Sequence, residues 1–230
     1  MKMKRISFLS FAAVSMMIGA CSIDLDPDVL GSLFLGDGEV KVIDYEAVDL
    51  GLSVKWADCN IGGLKDWQDC KFFAWGEISE KTTYTWSNYL YYNPDNSSML
   101  KYNSDDGLIF LETDEDPATA VMGTGWRLPT GDELEELFDN CEWTVSTRGG
   151  NKIITATSKK NGASIVFPLT GYKEGDSLKG VGVHGYIWSS QRVEESPSQA
   201  WILGFNMKKN KIVLEHGDRG QGFCVRGVRR

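Results

Sequence analysis

The sequence predicts an α+β domain in which an early strand and two short helices precede a series of antiparallel strands. One helix start is marked by Thr130 and Glu133, which have the spacing of a capping box. Two turn segments, Lys160–Gly162 and Lys208–Asn210, each separate runs rich in β-forming residues, as expected of hairpins. Helical and strand patterns are grouped along the chain instead of alternating, which favours α+β over a parallel α/β fold.

Composition limits the class of protein. The chain has 230 residues, of which 42% are apolar and 11% aromatic, and this suits one globular domain with a sizeable core. Loss of three basic residues near the N-terminus, Lys2, Lys4 and Arg5, would lower the formal charge from −8 by three, to −11. Such a charge repels phosphate backbones, so no nucleic-acid partner is expected. No apolar run reaches the roughly 18 to 20 residues needed to cross a bilayer.

The N-terminus has the pattern of an export signal. A basic start precedes an apolar run over 6–18, and small residues follow before Cys21. The tetrad Ile18–Cys21 resembles the lipobox of bacterial lipoproteins. That resemblance implies a signal peptide at 1–20 and a membrane partner through a lipid anchor on Cys21. Several acyl chains on one residue anchor a protein stably where a single chain is marginal.

The segment after the signal bears on localisation. Ser22 is compatible with transport to the outer membrane, and three nearby aspartates hint at surface exposure. A periplasm-facing position, or a soluble secreted protein with an incidental cysteine, remain the alternatives. Residues 21–44 are rich in Asp and Gly without sustained periodicity, which predicts a tether. Residues 45–230 would then form a single domain.

The first elements of that domain are predicted from alternation and caps. Val48–Trp56 alternates apolar and polar residues over nine positions, which predicts a half-buried strand. Phe72–Trp75 predicts a second strand, and the Tyr-rich run Tyr84–Tyr102 predicts a long ordered loop. Asp116, with proline next to it, predicts an N-cap and a short helix over 118–122.

The helix after Thr130 is amphipathic, and strands follow it. Leu134, Leu137, Phe138 and Cys141 share one face, which predicts a buried stripe, while acidic residues occupy the solvated faces. The two acids of its first turn also suit the helix dipole, so the cluster is interpreted as structural. The later strands are predicted over 153–158, 164–167, 186–188, 201–207, 211–215 and 223–228.

Seven blocks of the mature chain resemble Bacteroidetes surface proteins that carry the Fibrobacter succinogenes major paralogous domain. These blocks are Val48–Ala57, Phe73–Glu77, Trp126–Thr130, Ser158–Gly162, Pro168–Tyr172, Trp188–Ser190 and Val225–Val228. The third block, before an acidic helix, also looks like relatives of the formylglycine-generating enzyme. The resemblance implies a C-type-lectin-like fold, with two short helices packed on twisted antiparallel sheets and the termini brought together. It implies a cell-surface setting but no activity, because members of the family mostly lack an assigned one.

The chemistry of known catalytic sites is not predicted. Enzymes of the formylglycine-generating kind use two cysteines late in the chain, and here that region has Cys224 alone. His184 and His216 are the two histidines of the chain, and they lack metal-ligand spacing. A Ser-His-Asp arrangement stays open, although no Gly-x-Ser-x-Gly elbow is present. A non-catalytic protein is therefore expected.

Four cysteines remain in the mature domain, and an oxidising compartment would allow disulfides between them. Cys59 with Cys70 would close a short loop, and Cys141 with Cys224 would join the acidic helix to the last strand. Three full pairings are possible and the sequence does not choose among them. Buried free thiols are an equal alternative, because free cysteine packs as a small hydrophobe.

No cofactor is expected, with calcium as the open question. Asp105, Asp106, Asp114 and Asp116 supply oxygen ligands of the kind that calcium prefers. Their spacing fits no EF-hand loop, and charge runs are usually only solvated. Asn93–Asp95 resembles the sugar-binding triplet of C-type lectins superficially, since it lies before the helices.

Aromatic residues are the remaining candidates for a binding surface. Trp56, Trp75 and Trp126 lie in strongly patterned segments and are predicted to be core. Residues of the loop before the helices are predicted to form an exposed platform: Trp86, Tyr89, Tyr91 and Tyr92.

A recognition module for a glycan or protein ligand is the first functional hypothesis. Its binding residues are expected in the aromatic loop or in the glycine-rich loop over 170–185. The alternative is a structural or assembly component of a surface fibre or complex. An exposed aromatic groove would favour the first hypothesis, and an available edge strand or a flat apolar patch the second.

Overall fold

The computed structural model describes residues 44–63 and 70–230, and the backbone of two short strands before them. These strands, β1 (Leu33–Gly36) and β2 (Glu39–Val42), pair antiparallel. The predicted signal peptide, the lipidation site Cys21 and most of the predicted tether lie outside the described residues. No helix in the described ranges is both long and apolar enough to cross a membrane.

The described domain is α+β, with two short helices and a majority of antiparallel strands, as predicted. The elements up to the helices are β3 (Ala47–Val48), β4 (Lys55–Ala57), β5 (Phe72–Phe73), a 3-10 turn (Trp86–Asn88), β6 (Tyr92–Asn93), β7 (Ser98–Met99), a 3-10 turn (Thr113–Glu115), α1 (Pro117–Met122) and α2 (Gly131–Asn140). The elements after them are β8 (Cys141–Arg148), β9 (Asn151–Ser158), β10 (Ser164–Pro168), β11 (Tyr172–Glu174), β12 (Ser177–Lys179), β13 (His184–Arg192), β14 (Gln199–Asn206), β15 (Lys211–Asp218), β16 (Phe223–Cys224) and β17 (Val228–Arg229).

Three sheets form the body of the domain. The largest has the strand order β15-β14-β13-β16-β5, with β13 and β16 parallel and the other neighbours antiparallel. A second sheet has the order β10-β9-β8, and a third has β17-β4-β3. In the third sheet Trp56 lies opposite Val228, so the first and last strands of the domain are neighbours. Helix α2 lies against the central strands of the largest sheet.

Both helix starts follow the predicted capping chemistry. The Thr130 hydroxyl accepts from the backbone N–H of Glu133 at 3.2 Å, and the Glu133 carboxylate accepts from the N–H of Thr130 at 2.8 Å. Leu134 and Leu137 on the predicted face are buried. Asp116 caps α1, which has proline at its first position. Local hydrogen-bond chemistry alone therefore places these two helices.

The predicted continuous strand over Val48–Trp56 is wrong, although its alternation of burial is real. Leu50, Val54 and Trp56 are buried, but only the two ends of the segment are paired, as β3 and β4. Asp49 accepts from the N–H of Gly51 at 2.8 Å, and Gly51 has a φ of +69°, which turns the chain out of the sheet. The segment is a wide hairpin whose loop inserts Leu50 into the core.

The hairpins predicted around Lys160–Gly162 and Lys208–Asn210 are confirmed. Ser164 lies opposite Thr157 in the first, and Asn206 lies opposite Lys211 in the second. One strand of the second sheet, β8, has no counterpart among the predicted strands. Most of it is exposed, so it lacks the apolar alternation that marks a half-buried strand.

Arg219 is buried among aromatic rings at the centre of the long Tyr-rich loop. Its guanidinium carbon lies 4.5 Å from the centroid of Trp75, and three tyrosine rings surround it at 5.4–5.9 Å. Its nitrogens donate to the hydroxyl of Tyr89 at 2.8 Å and to the carbonyls of Lys101, Tyr102 and Pro197 at 3.1, 3.0 and 2.6 Å. Carbonyl dipoles and π faces thus take the place of a carboxylate partner.

Two further buried arginines hold chain segments in the same way. Arg226 donates to the side chain of Asn60 at 2.7 Å and to the carbonyls of Ala57 and Val166 at 2.9 and 2.6 Å. Arg192 donates to four carbonyls of the surrounding loops. The guanidinium group of each arginine therefore holds backbone segments that form few hydrogen bonds within a sheet.

The predicted disulfides are wrong in their pairing. Cys70 is bonded to Cys224, with their Cα atoms 6.0 Å apart, while Cys59 and Cys141 keep buried thiols. The register of the largest sheet explains the pairing, because β5 lies next to β16 and Cys224 is opposite Phe72. The thiol of Cys59 instead donates to the carbonyl of Gly63 at 3.4 Å. The bond is consistent with an oxidising compartment.

Titration of thiols should give two per chain in denatured, unreduced protein that carries Cys21→Ser, because only Cys59 and Cys141 keep thiols. Peptide mapping should link Cys70 to Cys224. Since the bond closes a long loop, its reduction should lower the free energy of unfolding by about 2–4 kcal/mol. Four thiols, or a peptide linking Cys59 to Cys70, would contradict the pairing.

Replacement of Arg219 by methionine should destabilise the domain strongly. The change removes the donor from the buried carbonyl of Tyr102, from the buried hydroxyl of Tyr89 and from two partly buried carbonyls, and each unpaired buried group costs about 1–3 kcal/mol. Urea denaturation should therefore show a loss of at least about 3 kcal/mol. Arg229→Met is the matched control, because Arg229 is exposed and its guanidinium lies 5.3 Å from the centroid of the Trp126 ring. Its cost should stay below about 1 kcal/mol.

Candidate functional site

The predicted aromatic platform is wrong for two of its four residues. Tyr89 and Tyr91 are 2% and 6% exposed, since their rings pack around Arg219. Their hydroxyls donate to the carbonyls of residues 75 and 76 at 2.8 and 3.0 Å. Trp86 and Tyr92 are half-buried and pack on each other with ring centroids 5.2 Å apart. The loop is thus folded inwards by its arginine instead of presenting its rings to solvent.

The four predicted calcium ligands do not converge. The carboxylate of Asp116 is buried and accepts from the backbone N–H groups of residues 118, 119 and 128 at 2.8, 3.2 and 2.7 Å. Burial raises the pKa of Asp116 to about 6 in spite of these donors. Asp106 closes a local turn by accepting from the N–H groups of residues 102, 103 and 108, and Asp105 is exposed.

Asp114 does have acidic neighbours. Among the described residues, its carboxylate and those of Glu112 and Glu115 approach within 4.8 Å of one another. Lys101 already binds two of them, with its Nζ 2.8 Å from Glu115. The adjoining depression of about 440 Å³ is wide and shallow, and Lys81 occupies part of it through an ion pair of 2.9 Å with Glu77. Lys101 thus offsets one of the three negative charges of this cluster.

A narrower groove lies on the other side of the largest sheet from α2. Successive side chains of a strand point to opposite faces, so the register decides which residues share this surface. Tyr186 lies opposite Gly204, and Ile202 lies opposite Glu215. On this face lies an open groove of about 220 Å³, which is lined by Tyr172, Tyr186, Ile202, Glu215, His216, Gly217, Gln221 and Phe223.

Two glycines lie beneath side chains of the groove. A Cβ at Gly204 would meet the Oε1 atom of Glu215 well inside contact distance, with Tyr186 at 3.4 Å. A Cβ at Gly217 would meet the ring of Phe223 in the same way, with Trp188 at 3.1 Å. The absence of side chains at these positions lets Glu215, Phe223 and Trp188 pack directly on the backbone of the sheet.

Aromatic rings form one wall of the groove. The centroid of Tyr186 lies 4.7 Å from that of Phe223 and 5.6 Å from that of Tyr172, which stands edge-on at 79°. The ring of His184 is stacked on that of Tyr186, at 6.0 Å and 11°. The wall is therefore a packed stripe with defined orientations instead of a set of mobile rings.

The polar groups of the groove include both donors and acceptors. Glu215 offers a carboxylate, and the amide nitrogen of Gln221 donates to Glu174 at 3.3 Å, which leaves the amide oxygen as an acceptor. The Tyr186 hydroxyl lies 3.2 Å from Nδ1 of His184. Burial, and secondarily the charge of Glu215, raise the pKa of Tyr186 to about 12. Burial, with the charges of nearby lysines, lowers the pKa of His184 below its ordinary value.

The second histidine, His216, also borders the groove, but its ring packs towards Trp201. His216 lies opposite Trp201, and the two rings meet edge-on at 4.3 Å. Its neighbour Glu215 points to the opposite face, as pleating requires.

The glycine-rich loop is the part of the predicted functional region that the structure brings into the groove. It contributes Tyr172, whose ring meets that of His184 edge-on at 6.4 Å, whereas the aromatic loop does not line the groove. Glu215, Gln221 and Phe223 were not predicted as site residues. Alternation within β13, β14 and β15 is visible in the sequence, but only the pairing register aligns their faces.

One comparison with known proteins gives a match. Residues 151–228 are similar to a family described as a domain of unknown function, DUF8237. The similarity covers about a third of the chain and includes every residue that lines the groove. No curated protein and no solved structure matches the chain.

Replacement of Gly204 and of Gly217 by alanine should have different effects on stability. In Gly204→Ala the new methyl meets the end of a flexible exposed carboxylate, so Glu215 moves, the groove shrinks, and stability should change by less than about 1 kcal/mol. In Gly217→Ala the methyl meets two buried rings, and overpacking of this kind costs about 1–3 kcal/mol. Thermal unfolding of both variants checks this, and equal melting temperatures would contradict it.

Proposed function

We propose that this protein is a non-catalytic recognition module of the cell surface, and that the groove on its largest sheet binds carbohydrate. The observation that carries the proposal is the groove itself, in which the half-buried rings of Tyr172 and Tyr186 lie beside Glu215 and Gln221. Sugar rings have apolar faces that pack on aromatic rings and hydroxyls that need both donors and acceptors. Convergence of both kinds of group in one concave site is typical of binding sites.

The setting follows from the sequence and is supported by the cysteine chemistry. The lipobox-like tetrad at Ile18–Cys21 supports a lipid anchor, and Ser22 with the nearby aspartates supports a surface-exposed position on the outer membrane. The bond between Cys70 and Cys224 is of the kind that persists outside the cytosol. The tether over 21–44 would hold the domain away from the bilayer.

We assign the fold to the C-type-lectin-like class, as a Bacteroidetes-type major paralogous domain. Two short helices joined by the Arg127–Pro129 link, and antiparallel sheets after them, support the assignment. So does the pairing of β4 with β17, which brings the ends of the domain together. The blocks that carry the resemblance include one of the buried arginine contacts, that of Arg226 with the carbonyl of Ala57.

A structural or assembly role is the second candidate, and one strand favours it. β8 is an eight-residue edge of its sheet, and its last five residues are exposed. Such an edge can pair with a strand of another chain. The groove is the more specific feature, because an edge strand occurs in any open sheet.

A glycan-binding screen on the full chain with Cys21→Ser should detect at least one carbohydrate ligand. Gly204→Ala should weaken that binding tenfold or more, because the displaced Glu215 side chain closes the cavity. Trp86→Ala, which alters the predicted platform outside the groove, should leave the affinity within about threefold. If Gly204→Ala bound as the parent does while Trp86→Ala lost binding, the groove would be rejected in favour of the aromatic loop.

A further inference from the structure

We infer that the groove accepts a single terminal sugar residue that is neutral or bears an amine, and that Glu215 excludes acidic sugars. The inference rests on the proposed carbohydrate-binding function and adds the class of ligand and the residue that selects it. It is carried by the size of the cavity, the placement of one carboxylate inside it, and the donors and acceptors around it.

The size of the cavity limits the ligand to one ring. Pockets for drug-sized molecules have volumes of about 300–1,000 Å³. The open groove has a volume of about 220 Å³ and is bordered by the rings of Tyr172, Tyr186 and Phe223. A second sugar residue would therefore lie outside, on the exposed surface of the hairpin β14–β15. A terminal residue fits this geometry, whereas the interior of a long polysaccharide does not.

The position of Glu215 decides which charges are accepted. Its carboxylate lines the cavity, where the absence of a side chain at Gly204 gives its Oε1 atom room over the sheet. A carboxylate accepts hydrogen bonds only, so it suits the hydroxyls or the ammonium group of a ligand and repels a second carboxylate. Glu174, held by Gln221 at 3.3 Å and by Lys179, adds a second acidic group at the rim.

The complementary donor lies beside the groove, at His184, whose ring stacks on that of Tyr186. Because the Tyr186 phenol keeps its proton at neutral pH, it can donate to Nδ1 of His184, at 3.2 Å. The imidazole then carries its hydrogen on Nε2, which becomes a donor. Lys208 and Lys209 lie near this ring at the tip of the hairpin and are exposed, as Glu215 is, so solvent screens all three charges. The Nε2 donor and the carboxylate of Glu215 match neighbouring hydroxyls of one sugar ring.

The probes are the methyl glycosides of glucose, galactose, mannose, glucosamine and glucuronic acid, titrated calorimetrically into the full Cys21→Ser chain. At least one neutral or amino glycoside should bind ten or more times tighter than methyl glucuronide. Oligosaccharides that end in the preferred residue should bind no more than about threefold tighter than its monosaccharide. In Glu215→Gln the glucuronide should bind within about threefold of the neutral sugars, and the amino glycoside should lose most of its advantage.

Glu195→Gln is the matched control, since Glu195 is an exposed carboxylate on the β13–β14 loop outside the groove. It should leave the whole order of affinities unchanged, and all variants should melt within a few degrees of the parent. If the parent chain bound neutral and acidic glycosides with equal affinity, and Gly204→Ala bound neither, the inference would be overturned while the proposed function would stand. A parent chain that binds no probe and no larger glycan would overturn both. Equal effects of Glu215→Gln and Glu195→Gln would overturn the role of Glu215.

Discussion

The charge of Arg219 is the constraint on which much of the structure depends. A guanidinium that is fully buried must find partners for its hydrogen-bond donors and for its charge, or the burial is too costly. Here Trp75, Tyr89 and the backbone around Tyr102 provide them, although they lie more than a hundred residues earlier in the chain. The long loop before the helices has few ladder hydrogen bonds, so this one side chain organises it more than its own secondary structure does.

Local chemistry made the helices and hairpins predictable, and distant contacts made the rest unpredictable. Thr130, Glu133 and Asp116 form caps within three residues of their partners, so the sequence contains the whole interaction. The tyrosines of the long loop look like an exposed platform because their partner, Arg219, is remote in sequence. The same reason hides the pairing of Cys70 with Cys224, which follows from the neighbouring strands β5 and β16.

The groove shows a second limit of prediction from sequence, which concerns the residues of neighbouring strands that share one face of the sheet. Alternation within a strand separates Glu215 from His216, but it does not say which of them faces Tyr186. The register of three strands settles this, and a shift by one residue would exchange a carboxylate for an imidazole in the cavity. Gly204 and Gly217 read as weak points of a strand in the sequence, and only the aligned sheet shows that side chains of the groove pack directly on them. Thus the glycine-rich loop could be recognised as functional in advance, but not the surface that it completes.

The segment from Arg219 to Arg229 has a consequence for how the chain reaches its native state. It contributes Arg219 to the Tyr-rich loop, Cys224 to the disulfide, Arg226 to the 57–60 region and β17 to the sheet of β4. Earlier parts of the domain therefore cannot close their core until this segment has been synthesised. Contacts of such long sequence separation fold slowly, because the loop entropy is lost before the contacts form. A chain that stays open until its last strands arrive is also one that can pass through an export channel before it folds.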